Sequence, residues 1–171
     1  VMEKNKMRHN LTIDLDLQSS ISNRMIEKKN TVSVAESCTG GFLSAFFTSR
    51  SGASFFFKGS MITYNNASKI HLLGVKESMI TKHGVVSQYV VESMAQNIRK
   101  KYNTSYGLAT TGYVDVIKSE LVSKPSLLHA WIAISTTNHT ISHCLSLKED
   151  RLKNISNVSY KLLYLFRKEI A

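Results

Sequence analysis

The residues of this sequence best suited to chemistry follow a short apolar run and form a polar turn closed by glycines. The stretch reads Val32-Ser33-Val34-Ala35-Glu36-Ser37-Cys38-Thr39-Gly40-Gly41, and helix-forming residues come next. A strand that enters a helix through such a turn places backbone N–H groups and small hydroxyls at the helix N-terminus, where the partial positive charge favours an anion. The stretch lacks both the Lys of a Walker A loop and the G-x-G-x-x-G spacing of a dinucleotide site. The alternative is a structural turn, in which the glycines supply positive φ and Ser37 or Thr39 is the N-cap.

Alternating strand and helix patterns place this turn within an α/β fold. The patterns predict helices over 17–29, 41–48, 66–73, 78–83, 88–102 and 152–170, and strands over 31–35, 54–64 (one or two strands), 106–111, 128–135 and 140–147. The helix over 88–102 has the clearest apolar face, and Ser87 is a suitable N-cap. We therefore predict a single-domain three-layer α/β sandwich with a mixed, mostly parallel sheet, in which residues 1–16 are an N-terminal tail and residues 17–171 form the domain.

Composition limits the classes of partner and location. No apolar run reaches the roughly 18 residues of a membrane span, so no membrane interaction is predicted. Asp14 and Asp16 interrupt the apolar residues near the N-terminus, and Cys38 and Cys144 are the only cysteines, so we expect a cytoplasmic protein with reduced thiols. The net charge of +10 raises the question of nucleic-acid binding. The Lys and Arg residues lie in small groups near the C-terminal ends of predicted helices, where cations suit the helix dipole, so a nucleic-acid partner is not favoured.

Six separated motifs resemble, in order and spacing, the CinA C-terminal domain family of nicotinamide-nucleotide amidohydrolases. They are Glu36-Ser37-Cys38-Thr39-Gly40-Gly41, Gly52-Ala53-Ser54, Tyr64-Asn65-Asn66-Ala67-Ser68-Lys69, Leu72-Leu73-Gly74-Val75, His83-Gly84-Val85-Val86-Ser87 and Thr111-Gly112. The resemblance covers the chain from about residue 17 onwards. It implies an α/β fold, a homo-oligomer, and deamidation of nicotinamide mononucleotide to nicotinic acid mononucleotide with release of ammonia.

Hydrolysis of a carboxamide needs a nucleophile, a group that takes its proton, and donors for the oxyanion that develops. Among the residues of the resemblance we favour Ser54 as nucleophile, Lys69 as base and Tyr64 as a group that relays or orients the proton, because a partly desolvated amine loses its charge more readily. Ser37 is the alternative nucleophile, or else it helps to hold the substrate. In isolation, Lys69 and Tyr64 would be ordinary surface residues. The predicted substrate-binding residues are Glu36, Thr39, Gly40, Gly41, Thr111, Gly112 and Arg151, of which Arg151 is assigned to the phosphate or else is a solvated helix residue.

The resemblance fails after Thr111-Gly112. The family typically continues G-I-A-G-P-x-G-G and later K-P-V-G, whereas this chain has Tyr113-Val114-Asp115-Val116-Ile117-Lys118-Ser119-Glu120 and Lys124-Pro125-Ser126. Because branched side chains replace glycines that allow close backbone approach, we keep a second hypothesis, a catalytically weak or inactive nucleotide-binding or regulatory module. The six histidines lack a paired-ligand spacing such as H-E-x-x-H, so neither a metal nor a cofactor is predicted, and the expected ligand is a small pyridine nucleotide.

Overall fold

A computed structural model describes residues 12–116 and 127–171, which form a five-stranded sheet with helices on both faces. The helices are α1 (Leu15–Glu27), α2 (Phe42–Thr48), α3 (Asn66–His71), α4 (Glu77–His83), α5 (Gln88–Tyr102) and α6 (Arg151–Glu169). The strands are β1 (Val32–Glu36), β2 (Phe57–Ile62), β3 (Tyr106–Tyr113), β4 (His129–Ser135) and β5 (Thr140–Ser146), and a 3-10 turn, Ala53–Phe55, precedes β2. The segment 54–64 thus contains one strand.

Strand direction determines where a site can form in this sheet. The strand order is β2-β1-β3-β4-β5, with β1 parallel to both β2 and β3, and with β4 antiparallel to both β3 and β5. Among the described strands only β4 is therefore reversed, which confirms the predicted mixed, mostly parallel sheet. The C-terminal ends of β1, β2 and β3 meet at one edge, where ligands of open α/β sheets bind.

Helices α1, α2 and α6 cover one face of the sheet. The strands contribute Val34, Leu108 and Ile132 to a fully buried core on this face, and the helices contribute mainly large apolar side chains. These helix residues are Leu17, Ile21, Met25, Leu43, Phe46, Phe47, Val158, Leu162, Leu163 and Phe166. Burial of this many large side chains is the main stabilising contribution to the fold.

Helix α5 covers the opposite face and lies close to the strands. Ala35, Ala109 and Ala133 face its apolar side, so small strand residues leave room for the helix backbone. A Cβ at Gly107 would lie 2.1 Å from the Ala95 carbonyl oxygen, which shows how close that approach is. Two helical layers with a sheet between them confirm the three-layer architecture.

The helix ends follow capping rules. Ser87 is the N-cap of α5, as predicted, and accepts a hydrogen bond from the Val90 amide. Helix α1 begins at Leu15, two residues before the predicted start, because the Asp14 side chain caps it. None of the helices among the described residues combines the length and apolarity needed to span a membrane.

Candidate active site

A buried lysine and a serine meet at the edge where β1, β2 and β3 end. Lys69 Nζ donates to Ser37 Oγ at 3.0 Å and to the Thr63 carbonyl oxygen at 2.7 Å. Ser37 directly follows β1, and Thr63 directly follows β2. Lys69 is 1% exposed and Ser37 is 7% exposed. The structure therefore pairs the predicted base with the serine that was the alternative nucleophile.

The short helix α3 delivers Lys69 to this position. Its N-cap, Asn65, forms a capping box with Ser68, in which each side chain accepts a hydrogen bond from the other's backbone amide. Beyond the helix, Leu73 and Val75 are buried in the core beneath α5, and the Val75 amide donates to the Lys69 carbonyl oxygen. Lys69 is thus anchored from both directions along the chain.

The surroundings of Lys69 favour its neutral form. Burial lowers the pKa of its ammonium group from 10.5 to about 8, against a smaller opposing effect of Cys38. Within residues 12–116 and 127–171, Lys69 forms no ion pair with a carboxylate. A desolvated amine without a counter-ion is suited to accept a proton from a neighbouring hydroxyl.

Cys38 is adjacent to this pair but is unsuited to nucleophilic chemistry. Its side chain is 4% exposed, and burial raises the pKa of its thiol to about 12. Since the thiolate is the reactive form, the Cys38 thiol is inert at neutral pH.

Glu36 occupies the N-terminus of α2 itself. Its fully buried carboxylate accepts hydrogen bonds from the amides of Gly41 (3.0 Å), Leu43 (3.2 Å) and Ser44 (2.9 Å), and from the hydroxyls of Thr39 (2.7 Å) and Ser44. Glu36, Thr39 and Gly41 were predicted to bind substrate, and here their polar groups are satisfied within the fold. The protein's own carboxylate satisfies these donors, so Glu36 and Thr39 are structural residues of the turn.

The two glycines of the turn have the backbone conformation expected from the sequence. Gly40 has a φ of 59° and Gly41 a φ of 104°, both in the region that disfavours other residues. At Gly41 a Cβ would also lie 3.2 Å from Ile62 Cδ1. These glycines bend the chain from β1 into α2 with the positive φ that the structural alternative required. The N-cap of α2 is Gly41, however, and neither Ser37 nor Thr39 caps the helix as that alternative stated.

Thr110 is a residue of the site that the sequence predictions missed. Its Oγ1 accepts from the Ser37 amide at 3.4 Å and lies 2.9 Å from Thr39 Oγ1. Because the Thr39 hydroxyl gives its proton to Glu36, Thr110 is the donor to Thr39. Thr110 thus joins β3 to the turn that carries Ser37. The strand alternation that separates it from Thr111 is the signal that could have identified it.

Tyr64 and Arg151 meet at the surface of the protein. Arg151 Nη2 donates to the Tyr64 hydroxyl at 2.6 Å, although 87 residues separate the two in sequence. Tyr64 is the residue after Thr63, whose carbonyl oxygen accepts from Lys69. Arg151 forms no ion pair with a carboxylate in the described part of the chain. Its guanidinium therefore retains donors for an anion.

Ser54 lies at the other end of β2, which corrects its predicted pairing with Lys69. It belongs to the exposed 3-10 turn before Phe57, whereas Lys69 binds the residue after Ile62. Five steps along an extended strand separate these ends by roughly 16 Å. Order in the sequence placed Ser54 near Lys69, but the direction of β2 carries it away.

Thr111 and Gly112 have partners within the fold. The Thr111 hydroxyl donates to the Val85 carbonyl oxygen at 3.0 Å, and the residue is 1% exposed. Gly112 pairs with Ala130 of β4, and a Cβ there would lie 2.6 Å from the Ala130 Cβ. Close packing between β3 and β4 accounts for the glycine without a ligand, so its predicted substrate-binding role has no support in this geometry.

The segment that departs from the family pattern is described only in part. Val114 is buried among the residues beneath α6, and its carbonyl oxygen accepts from Asn154 Nδ2 at 2.9 Å. Residues 117–126, which include Lys124-Pro125-Ser126, lie outside the described residues.

Among the residues that are described, no three His, Cys, Asp or Glu side chains gather as a metal site would require.

A family model, the CinA C-terminal domain, matches residues 14–170. The chain belongs to this family. A CinA-like protein of Amoebophilus asiaticus is 36% identical over 154 residues, which are 90% of this chain and 36% of the relative. A CinA-like protein of Flavobacterium psychrophilum is 36% identical over 92% of this chain and 37% of its own length. The chain thus spans a little over a third of these relatives.

Solved structures of CinA superfamily proteins share the fold. The competence damage-inducible protein A of Klebsiella pneumoniae superposes with a TM-score of 0.84 at 20% identity, covering 92% of this chain and 97% of that protein. The competence/damage inducible protein CihA of Agrobacterium tumefaciens gives a TM-score of 0.72 at 24% identity, covering 90% and 98%. At this level of identity the likeness supports the three-layer fold of the CinA C-terminal domain alone.

Proposed function

We propose that this CinA C-terminal domain hydrolyses the carboxamide of nicotinamide mononucleotide to nicotinic acid mononucleotide and ammonia, with Ser37 as nucleophile and Lys69 as base. The contact that supports this proposal is the 3.0 Å hydrogen bond between Lys69 Nζ and Ser37 Oγ in a buried setting. The choice of substrate comes from the resemblance of the motifs around Glu36 and Tyr64.

The proposed first half-reaction uses Lys69 twice. Neutral Lys69 accepts the proton of the Ser37 hydroxyl while Ser37 Oγ bonds to the carboxamide carbon, which becomes tetrahedral. The Lys69 ammonium then donates that proton to the amide nitrogen as the C–N bond breaks. Ammonia leaves, the acyl group stays on Ser37 as an ester, and Lys69 is neutral again.

The second half-reaction repeats the same proton transfers with water. Lys69 accepts a proton from a water molecule whose oxygen attacks the ester carbon, and it returns the proton to Ser37 Oγ as the C–O bond breaks. Nicotinic acid mononucleotide and free Ser37 result. A single amine with a pKa of about 8 serves both directions of transfer, because near that pH its two protonation states are comparably populated.

The Tyr64–Arg151 pair is proposed to bind the nucleotide phosphate. The forked donors of a guanidinium match phosphate oxygens, and the Tyr64 hydroxyl takes only one of them at 2.6 Å. Arg151 is linked to Tyr64, the residue after Thr63, and the Thr63 carbonyl oxygen binds Lys69. We therefore propose that a phosphate held by Arg151 directs the pyridine carboxamide towards Ser37.

Product formation by three variants tests the assignment. Ser37→Ala and Lys69→Met are expected to lower kcat by at least about a thousandfold, because each removes a group that acts in the transition state. Ser54→Ala is the matched control, since it removes the same hydroxyl at the far end of β2, and its rate should stay within about twofold of the wild type. Wild-type protein that forms no nicotinic acid mononucleotide at high concentration would refute the proposal. An inactive Ser54→Ala variant together with an active Ser37→Ala variant would overturn the assignment of the nucleophile.

A nucleotide-binding module without turnover is the second candidate. It is favoured by the segment after Gly112, where the buried, branched Val114 stands in place of a glycine-rich stretch. This candidate predicts that nicotinamide mononucleotide raises the Tm of the protein while no product forms. Detection of turnover that Lys69→Met abolishes would eliminate it.

We propose a homo-oligomer from the family resemblance and a cytoplasmic location from the composition of the chain. Light scattering coupled to gel filtration tests the oligomer, and a mass of 19.2 kDa for the particle would contradict it. Cell fractionation tests the location.

A further inference from the structure

A buried asparagine ties the start of α6 to the end of β3. Asn154 is fully buried, and its Nδ2 donates to the carbonyl oxygens of Val114 (2.9 Å) and Glu149 (2.6 Å). Its Oδ1 accepts from the Glu149 amide at 3.1 Å. The side-chain amide thus satisfies backbone groups on two segments, and burial without those bonds would cost free energy.

Arg151 stands three residues before Asn154, in the first turn of α6. This turn is built on the N-cap Asp150, whose side chain accepts from the Lys153 amide at 3.0 Å. Arg151 reaches from there to the Tyr64 hydroxyl at 2.6 Å, and Tyr64 follows the residue whose carbonyl oxygen binds Lys69. The position of the Arg151 backbone relative to the buried pair therefore depends on how the first turn of α6 is held.

We propose that Asn154 is a positioning residue for the anionic group of the substrate, acting through Arg151. This inference rests on the proposed function, in which Arg151 binds the nucleotide phosphate. Asn154 holds the first turn of α6 against the end of β3, the strand that also carries Thr110 and so supports the Ser37 turn. The nucleophile and the phosphate-binding guanidinium are thereby joined to one strand at a set separation.

An amide is the side chain that this position requires. Two carbonyl oxygens and one N–H group face it, so it must donate at one atom and accept at the other. Leucine fills a similar volume but leaves Val114 and Glu149 without their partners. Aspartate keeps the acceptor for the Glu149 amide but turns an oxygen towards the two carbonyl oxygens, which loosens the attachment of α6.

Kinetics of Asn154→Asp and Asn154→Leu test the inference. We expect KM for nicotinamide mononucleotide to rise about tenfold in each, with kcat changed less than about twofold, since misplacing a binding group weakens substrate binding more than chemistry at Ser37. Ser159→Ala is the matched control, because it removes another buried polar group of α6 whose hydroxyl bonds only within the helix. Its KM should equal that of the wild type.

A double-mutant cycle separates positioning from a general loss of stability. In an Arg151→Ala background, Asn154→Asp should raise KM by less than about twofold, because the residue through which it acts is absent. A full tenfold rise of KM in the Arg151→Ala background, or an unchanged KM of Asn154→Asp in the protein that retains Arg151, would overturn the inference. Where Asn154→Leu does not fold, the isosteric Asn154→Asp decides.

Amide exchange distinguishes failure of this inference from failure of the proposed function. Deuterium uptake at the hydrogen-bonded amides of residues 153 and 154 should be faster in Asn154→Asp than in Ser159→Ala, whether or not the chain is an enzyme. Uptake equal to that of the control would overturn the inference. Wild-type protein without any turnover would instead refute the proposed function, and calorimetric binding of nicotinamide mononucleotide would then replace KM, with the same tenfold expectation.

Discussion

Activity should rise with pH in a window set by the burial of Lys69. A general base acts in its deprotonated form, and the pKa of Lys69 is lowered from 10.5 to about 8 by burial. The neutral fraction of an amine with that pKa is about 9% at pH 7, about 50% at pH 8 and about 91% at pH 9. The value of kcat/KM should therefore increase about tenfold between pH 7 and pH 9 and then level off.

The same measurement has a different outcome if Lys69 titrates like an exposed lysine. With a pKa of 10.5, the neutral fraction would increase about a hundredfold between pH 7 and pH 9 and would still rise above pH 10. The two cases differ about tenfold in the ratio of rates at pH 9 and pH 7, which is well within the precision of an initial-rate assay.

The assay is chromatographic quantification of nicotinic acid mononucleotide at substrate concentrations far below KM. A phosphate monoester is almost fully ionised above pH 7, so the substrate phosphate adds little to the profile. Lys69→Arg is the control, because its guanidinium keeps the positive charge and does not deprotonate in this range, and it should be inactive at every pH. A profile that is flat from pH 7 to pH 9, or an active Lys69→Arg, would refute the role of Lys69 as base.

Three further predictions concern stability and reactivity. Wild-type stability in urea unfolding should rise between about pH 8 and pH 10.5, where the unfolded lysine binds more protons than the folded one, and Lys69→Met should lose this rise. Thr110→Val should cost about 1–3 kcal/mol by the same measurement, because it leaves the Ser37 amide without a partner and removes the hydroxyl that donates to Thr39, whereas Thr110→Ser should cost less. The exposed thiol of Cys144 should react with a maleimide within minutes while buried Cys38 stays unmodified, and mass spectrometry of the digested protein would reveal the reverse order.

The architecture followed from the sequence because periodicity and capping are local. The residues of the apolar face of α5 and its N-cap, Ser87, belong to one continuous stretch of sequence, and both features were predicted correctly. Strand order depends on pairings between distant segments, which no local pattern reports. Even so, alternating strands and helices were enough to predict a mixed, mostly parallel sheet covered on both faces.

The site was harder to predict because it depends on the direction of the strands and on which side chains are buried. Ser37 follows β1 and Ser54 precedes β2, and Ser54 is the nearer of the two to Lys69 in sequence. Because β1 and β2 are parallel, the end of β1 brings Ser37 to Lys69, whereas Ser54 lies at the opposite end of β2. Glu36 was predicted to bind substrate because it belongs to the motif that carries the family resemblance. In the fold it bonds to the donors of α2, a role that depends on where the helix begins.

The sheet also explains why Lys69 keeps a low pKa with a carboxylate so near in sequence. Glu36 immediately precedes Ser37, yet its side chain turns to the α2 side and is satisfied there by amides and hydroxyls. Lys69 approaches from α3, whose following residues are buried on the α5 side. An ion pair with Glu36 would have raised the pKa of the lysine and removed its basicity. By placing the negative charge on one side of β1 and the amine on the other, the fold makes Lys69 a base and leaves Ser37 as its hydrogen-bond partner.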